Sequence, residues 1–216
     1  EAAEGRAFVA LDIGSTGKLL QPYGDLPFES AYDAFAEMID AGTAAGADLI
    51  VIETMSDIYE TKAALLAAKE HSALPVLVSL TFDETGKLLT GADIPTAAAV
   101  VEGLGADFIG LNCGLGPKQM LELLPQLRQA CSLPIAVSAN AGLPTVIDGQ
   151  TCYLVEPEDF AADCRALAAN GAAIVGGCCG TTPEHIAAMV NACREIVPPP
   201  PLLHTRTLAA SYTHTA

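Results

Sequence analysis

Ala172-Ala173-Ile174-Val175-Gly176-Gly177-Cys178-Cys179-Gly180-Thr181-Thr182-Pro183-Glu184-His185 changes character twice within fourteen residues. Its first four residues are a continuous apolar run, the pattern of a strand buried on both faces. Thr182 is an N-cap type and Pro183 suits the first position of a helix. The residues beyond, Ile186-Ala187-Ala188-Met189-Val190, supply that helix with an apolar face. A buried strand, a short glycine-rich turn and a helix make a βα unit. Two adjacent cysteines occupy the turn, at the strand end where α/β folds bind ligands.

The same unit recurs along the chain. Strands are expected over residues 8–13, 49–52, 75–81, 108–112, 134–139 and 172–175, and helices over 28–45, 58–71, 94–104, 118–130, 157–169 and 183–196. Six βα units at a period of ~30 residues describe either a (β/α) barrel or a doubly wound sheet. The loop over residues 14–27 exceeds an ordinary connection and is a candidate active-site loop. Residues 143–156 read as a polar loop through Asp148-Gly149.

The strand over 108–112 also ends in a cysteine, Cys113, followed by Gly114. Three thiols at two strand ends, with no fourth ligand in their motifs, are the donor set of an open zinc site. A bare vicinal pair could be core filler, but Cys113 argues against that. A thiol–disulfide role fits less well, because redox dithiols favour Cys-x-x-Cys spacing and Cys113 would go unused. His185 reads as a helix-face residue and not a ligand. Cys131, Cys152, Cys164 and Cys193 have no motif around them and read as packing or surface residues.

The Gly-Gly-Cys-Cys-Gly-Thr-Thr-Pro-Glu-His run, together with Gly110-Leu111-Asn112-Cys113, resembles the zinc-dependent homocysteine S-methyltransferase family. Asp12-Ile13-Gly14-Ser15-Thr16-Gly17, Ile52-Glu53-Thr54-Met55 and Ser138-Ala139-Asn140-Ala141-Gly142-Leu143-Pro144 match in the family's order. Within that family the likeness is greatest to homocysteine-binding modules of cobalamin-dependent enzymes. The resemblance implies an α/β fold of (β/α)8 TIM-barrel type, of which this chain holds the last six units and lacks the first two. It implies Zn²⁺ on Cys113, Cys178 and Cys179, and homocysteine as methyl acceptor. It implies Glu53 on the substrate ammonium group. Asn140 would bind polar substrate atoms, or serve only as a turn residue. Asp12 would line the mouth or bond within its own loop. The implied methyl donor is methylcobalamin on another module; S-methylmethionine, S-adenosylmethionine and betaine remain open. A truncated, non-catalytic zinc-binding remnant is the competing reading.

Residues 1–197 are therefore expected to form a partial homocysteine-binding barrel, and residues 198–216, opening on four prolines, a Pro-rich extended linker. The missing initial Met fits a sequence that starts partway through a gene, with folate- and cobalamin-binding modules elsewhere in the longer chain. A net charge of −16 argues against nucleic acid and anionic membranes as partners. No apolar run approaches a membrane span of ~20 residues. Seven cysteines without framework spacing indicate a reducing compartment. The expected location is cytoplasmic.

Overall fold

The computed structural model describes residues 5–204 and 208–215. Six parallel strands form one sheet: β1 (Ala10–Ile13), β2 (Leu49–Met55), β3 (Val76–Leu80), β4 (Phe108–Asn112), β5 (Ile135–Ala139) and, after a hairpin, β8 (Ala172–Gly177). Spatial order follows chain order from β1 to β8 without reversal. A doubly wound sheet would reverse at a switch point. Sequential order with a helix after each strand is barrel-type, and that resolves the two alternatives left open by the periodicity.

The helices are α1 (Phe28–Ala44), α2 (Ile58–His71), α3 (Ile94–Gly103), α4 (Pro117–Ala130), α5 (Pro157–Ala169) and α6 (Pro183–Cys193), and each packs against the next. All five residues of the central strand β3 are buried. Burying one such large side chain stabilises by roughly 1.5–3 kcal/mol, so the sheet centre is the firmest part of the fold.

The outer strands differ. β1 and β8 each have one neighbour. Phe8 and Val9, expected in the first strand, precede β1 and are 86% and 50% exposed. Ile174 on β8 is 40% exposed. These apolar residues lack a covering strand, as a sheet short of closure requires.

The loop expected over residues 143–156 contains an antiparallel hairpin, β6 (Thr145–Ile147) and β7 (Gln150–Cys152). Its turn is Asp148-Gly149, both at positive φ, which is the Asp-Gly signal of a tight hairpin. The last helix stops at Cys193, short of the expected 196.

The chain beyond it lies against the helices. The Arg128 guanidinium donates to the Pro199 and Pro200 carbonyls at 3.4 and 3.2 Å. The Tyr212 hydroxyl donates to Asp57 at 2.7 Å, and its ring packs on Tyr23 and Tyr59. Residues 205–207 and 216 of the expected linker lie outside the described residues. Among the described residues, no helix is long and apolar enough to cross a membrane.

Candidate metal centre

The expected ligands come together. Cys113 follows β4, and Cys178 and Cys179 follow β8, two strands away with β5 between them. Their sulfurs lie within 4.8 Å of one another, and Cys113 Sγ to Cys179 Sγ is 3.7 Å. Tetrahedral zinc with Zn–S bonds of ~2.3 Å separates its sulfurs by ~3.8 Å. The three thiols therefore fit that ion. Among the described residues, the His, Cys, Asp and Glu group at this point has these three members only. All seven cysteines are free thiols.

The strand ends turn sharply at the cysteines. Cys113 adopts φ 57° and Gly114 φ 68°, so the chain turns sharply at the strand end. The Cys113 N–H donates to the Ser138 carbonyl at 3.2 Å, and the Leu115 N–H to the Cys113 carbonyl at 2.7 Å. On the other side, the Cys178 N–H donates to the Ala139 carbonyl at 2.8 Å. Gly180, at φ 79°, sits against the Tyr153 ring, where a Cβ would collide. Glycine is needed there twice over, for its φ and for the close approach.

Asn140, at the end of β5, ties the two cysteine loops together. Its Oδ1 accepts from the Cys179 N–H at 3.0 Å, and its own N–H donates to the Leu115 carbonyl at 3.1 Å. The Ala141 N–H donates to the Cys179 carbonyl at 2.9 Å. The Asn140 side chain is buried within this link. Orienting hydrogen bonds of this kind tune the metal affinity of the ligands they hold.

Within the cluster, Cys178 is reluctant to ionise. Burial first, then the Cys113 and Cys179 sulfurs, push the Cys178 thiol up to about 12. A divalent cation would reverse that balance. Cys131 and Cys164 are buried elsewhere, and burial alone accounts for most of their rise to about 11 and about 12.

Glu53 lies in an irregular stretch of β2, where pairing with β3 slips between Ile52 and Met55. Thr54 there has φ 59°. Asn112, the residue before Cys113, holds it: Asn112 Oδ1 accepts from the Thr54 N–H at 2.9 Å, and Nδ2 donates to Thr54 Oγ1 at 2.7 Å. Such bulges re-aim side chains beside active sites. Burial, then the charge of Asp12, raises the Glu53 carboxyl above its ordinary value. Asp12 itself is exposed.

His185 stays out of the cluster. Its Nδ1 accepts from the Thr182 N–H at 3.2 Å, which leaves Nε2 to donate to the Val155 carbonyl at 2.8 Å. It thus closes the first turn of α6 and fixes it to the segment before α5.

A family model described as homocysteine S-methyltransferase matches residues 1–193. The chain belongs to the homocysteine S-methyltransferase family. It is 37% identical over 188 residues to the methionine synthase of Mycobacterium leprae, a match covering 83% of this chain and 16% of that protein. The chain thus spans about one sixth of the length of that relative. The homocysteine methyltransferase MmuM from Escherichia coli, in its apo form, superposes with TM-score 0.68 at 25% identity, over 88% of this chain and 66% of that one. The metallated form of the same protein matches at 28% identity and TM-score 0.56, over 73% of this chain and 51% of that one. Dihydrodipicolinate synthase DapA-2 from Bacillus anthracis shares the fold alone, with TM-score 0.54 at 11% identity over 88% of this chain and 62% of that one.

The structure brings forward three side chains to which the motif reading gave no role. Asn112 was visible as a polar residue ending an apolar strand. Glu60 is 1% exposed and accepts from Ser15 Oγ at 2.7 Å and from the Thr16 N–H and Oγ1, both at 2.6 Å. It pins the Gly-Ser-Thr-Gly loop, and its signal was a glutamate on the buried side of a helix. Tyr153, whose ring lies against Gly180 beside the cysteine pair, follows the unrecognised hairpin and carried no local signal.

Proposed function

We propose that this chain is the homocysteine-activating module of a methyltransferase that makes methionine. The observation that carries the reading is the cluster of three cysteine sulfurs at zinc-ligand spacing. Cys113, Cys178 and Cys179 would hold Zn²⁺ as thiolates. A bound zinc ion favours the thiolate form of a coordinated substrate thiol, which at a free pKa of ~8.5 is mostly protonated near pH 7. Asn140 and the Ala139 carbonyl keep Cys179 and Cys178 in place by holding their N–H groups. Glu53, re-aimed by the bulge, offers a carboxylate to the substrate ammonium. The substrate sulfur takes the methyl group in line from its donor, and no protein side chain carries the methyl.

The donor we assign is methylcobalamin on another module of the same longer chain, with a folate-binding module supplying methyl groups. The similarity to methionine synthase, of which this chain spans one sixth, supports that assignment. The two unpaired sheet edges favour a second reading, a remnant that binds zinc without turnover.

One experiment separates them. Purified under reducing conditions, the protein should carry about one zinc, lost in Cys113→Ala, and should convert homocysteine to methionine with added methylcobalamin. Zinc without methylation leaves the remnant reading. A folded chain without zinc refutes both.

A further inference from the structure

The first turn of α2 holds two segments that are far apart in the chain. Glu60 accepts from Ser15 and Thr16, near the start of the loop over residues 14–27. Asp57, three residues before it, divides its carboxylate. Oδ1 caps α2 by accepting from the Tyr59 and Glu60 N–H groups at 2.6 and 3.0 Å. Oδ2 accepts from the Tyr212 hydroxyl at 2.7 Å. Asp57 is only 1% exposed. A buried carboxylate oxygen needs a donor, and this one comes from 155 positions away.

Tyr212 also reaches the far part of the same loop. Its ring stands edge-on to Tyr59, with centroids 4.7 Å apart, and lies tilted against Tyr23 at 5.1 Å. Both separations are in the range where aromatic pairs attract. Tyr23 sits in a turn closed by its own N–H and that of Gly24, which donate to the Leu20 carbonyl at 3.0 and 2.9 Å. Tyr23 is 61% exposed, so it lies outside the core and is held by surface contacts such as this one. The segment that presents Tyr212 is a compact turn. Ala210 and Thr215 form an antiparallel bridge, and the Ser211 N–H donates to the His214 carbonyl at 2.7 Å. The Thr215 hydroxyl donates to Thr96, a buried residue of α3, at 3.1 Å.

We infer that the turn over residues 210–215 is a strap: Tyr212, bonded to Asp57 and packed on Tyr23, holds the loop over residues 14–27 in place, and its release loosens that loop. Glu60 anchors the loop near its start, and the strap anchors it where it runs out over the surface. These contacts are the protein's own and need no metal. The loop lies where it can matter to substrate: β1 pairs with β2 through Ile13 opposite Ile52, so the loop leaves β1 beside Glu53. That consequence alone rests on the function proposed above. A loosened loop would leave Glu53 less well enclosed, and homocysteine would bind more weakly.

Hydrogen exchange in the full chain, read by mass spectrometry on peptides covering residues 14–27, tests the strap. Tyr212→Ala removes the bond and both ring contacts. Exchange in the loop should quicken about tenfold or more, the effect of losing a hydrogen bond to a charged group, while peptides of the buried strand β3 keep their wild-type rates. Tyr212→Phe keeps the rings and loses only the hydroxyl, so its loop should exchange at an intermediate rate. Loop exchange within about twofold of wild type in Tyr212→Ala overturns the proposal. So does an equal rise in β3, the pattern of general destabilisation. Titration of homocysteine into the zinc-loaded protein reads the consequence: Kd should rise in Tyr212→Ala, and a faster loop with an unchanged Kd overturns the link to substrate. A wild-type chain that binds no homocysteine overturns the function proposed above, whereas the exchange comparison, which uses no ligand, still decides the strap.

Discussion

Asn140→Ala separates two roles for one residue. As a substrate ligand, Asn140 would matter to homocysteine and leave metal affinity alone. The structure instead puts its Oδ1 3.0 Å from the Cys179 N–H, with the side chain 1% exposed. Alanine leaves that N–H without its partner, which costs roughly 1–3 kcal/mol for a buried donor. Cys179 is exposed, so water replaces part of the loss and the lower half of the range applies. A cost of about 1.4 kcal/mol is tenfold in an equilibrium constant, so the zinc dissociation constant should rise about tenfold. Asn140→Asp keeps an acceptor in place and should lose less. The assay is competition against a chromophoric chelator at fixed pH. Zinc affinity within about twofold of wild type in Asn140→Ala, with a raised KM for homocysteine, would refute the positioning argument.

Zinc affinity should also climb with pH. The Cys178 thiol, pushed up to about 12 by burial and its sulfur neighbours, is protonated at neutral pH in the metal-free chain. Because its folded value is raised, its contribution to stability is lost from the free-thiol range of ~8.5 upward until pH reaches about 12, so between pH 6 and 8 it hardly makes folding pH-dependent. Zinc must displace its proton, which adds about one log unit of affinity per pH unit from this thiol alone; chelator competition at several pH values checks this, and a flat profile counts against thiolate ligation. Glu53→Gln should stabilise the protein at pH 7, because burial and Asp12 raise the native carboxyl and its ionisation costs stability as pH rises. The gain should vanish below the ordinary carboxylate range, near pH 4, as thermal melts at the two pH values would show. The same variant should raise KM for homocysteine about tenfold or more with zinc content unchanged; an unchanged KM removes Glu53 from the substrate site.

The parts legible in the sequence were those with local signals. Continuous apolar runs marked all six parallel strands, and Thr182-Pro183 marked the start of α6. The three cysteines stood out because each follows such a run and neighbours a glycine. What stayed hidden depends on long-range contact. Asn140 was legible as a residue of the mouth, but its bond to Cys179 spans 39 positions. Nothing near Thr54 signals a positive φ there, because Asn112, 58 positions away, stabilises it. The Asp148-Gly149 hairpin was the opposite case. Its turn signal was plain, but flanking strands of three residues show too little alternation to be read.

The placement of the open edges separates metal binding from substrate binding. Cys113 leaves β4, which is paired on both sides, and β5 beside it is likewise paired on both sides. Only β8, carrying Cys178 and Cys179, is an edge. It is secured at its end by the Cys178 N–H to Ala139, by the Ala141 N–H to Cys179, and by Asn140. Zinc would add a further link from β4 to β8 across β5, so loading should stabilise the edge strand as any ligand of the native state does. Glu53 stands on β2, whose outer neighbour β1 is the opposite edge, with Asp12 exposed on it. All three of the proposed metal ligands come from strand ends described here. Glu53, the proposed substrate group, stands next to the open edge at β1, so zinc binding should outlast homocysteine binding when the chain is taken alone.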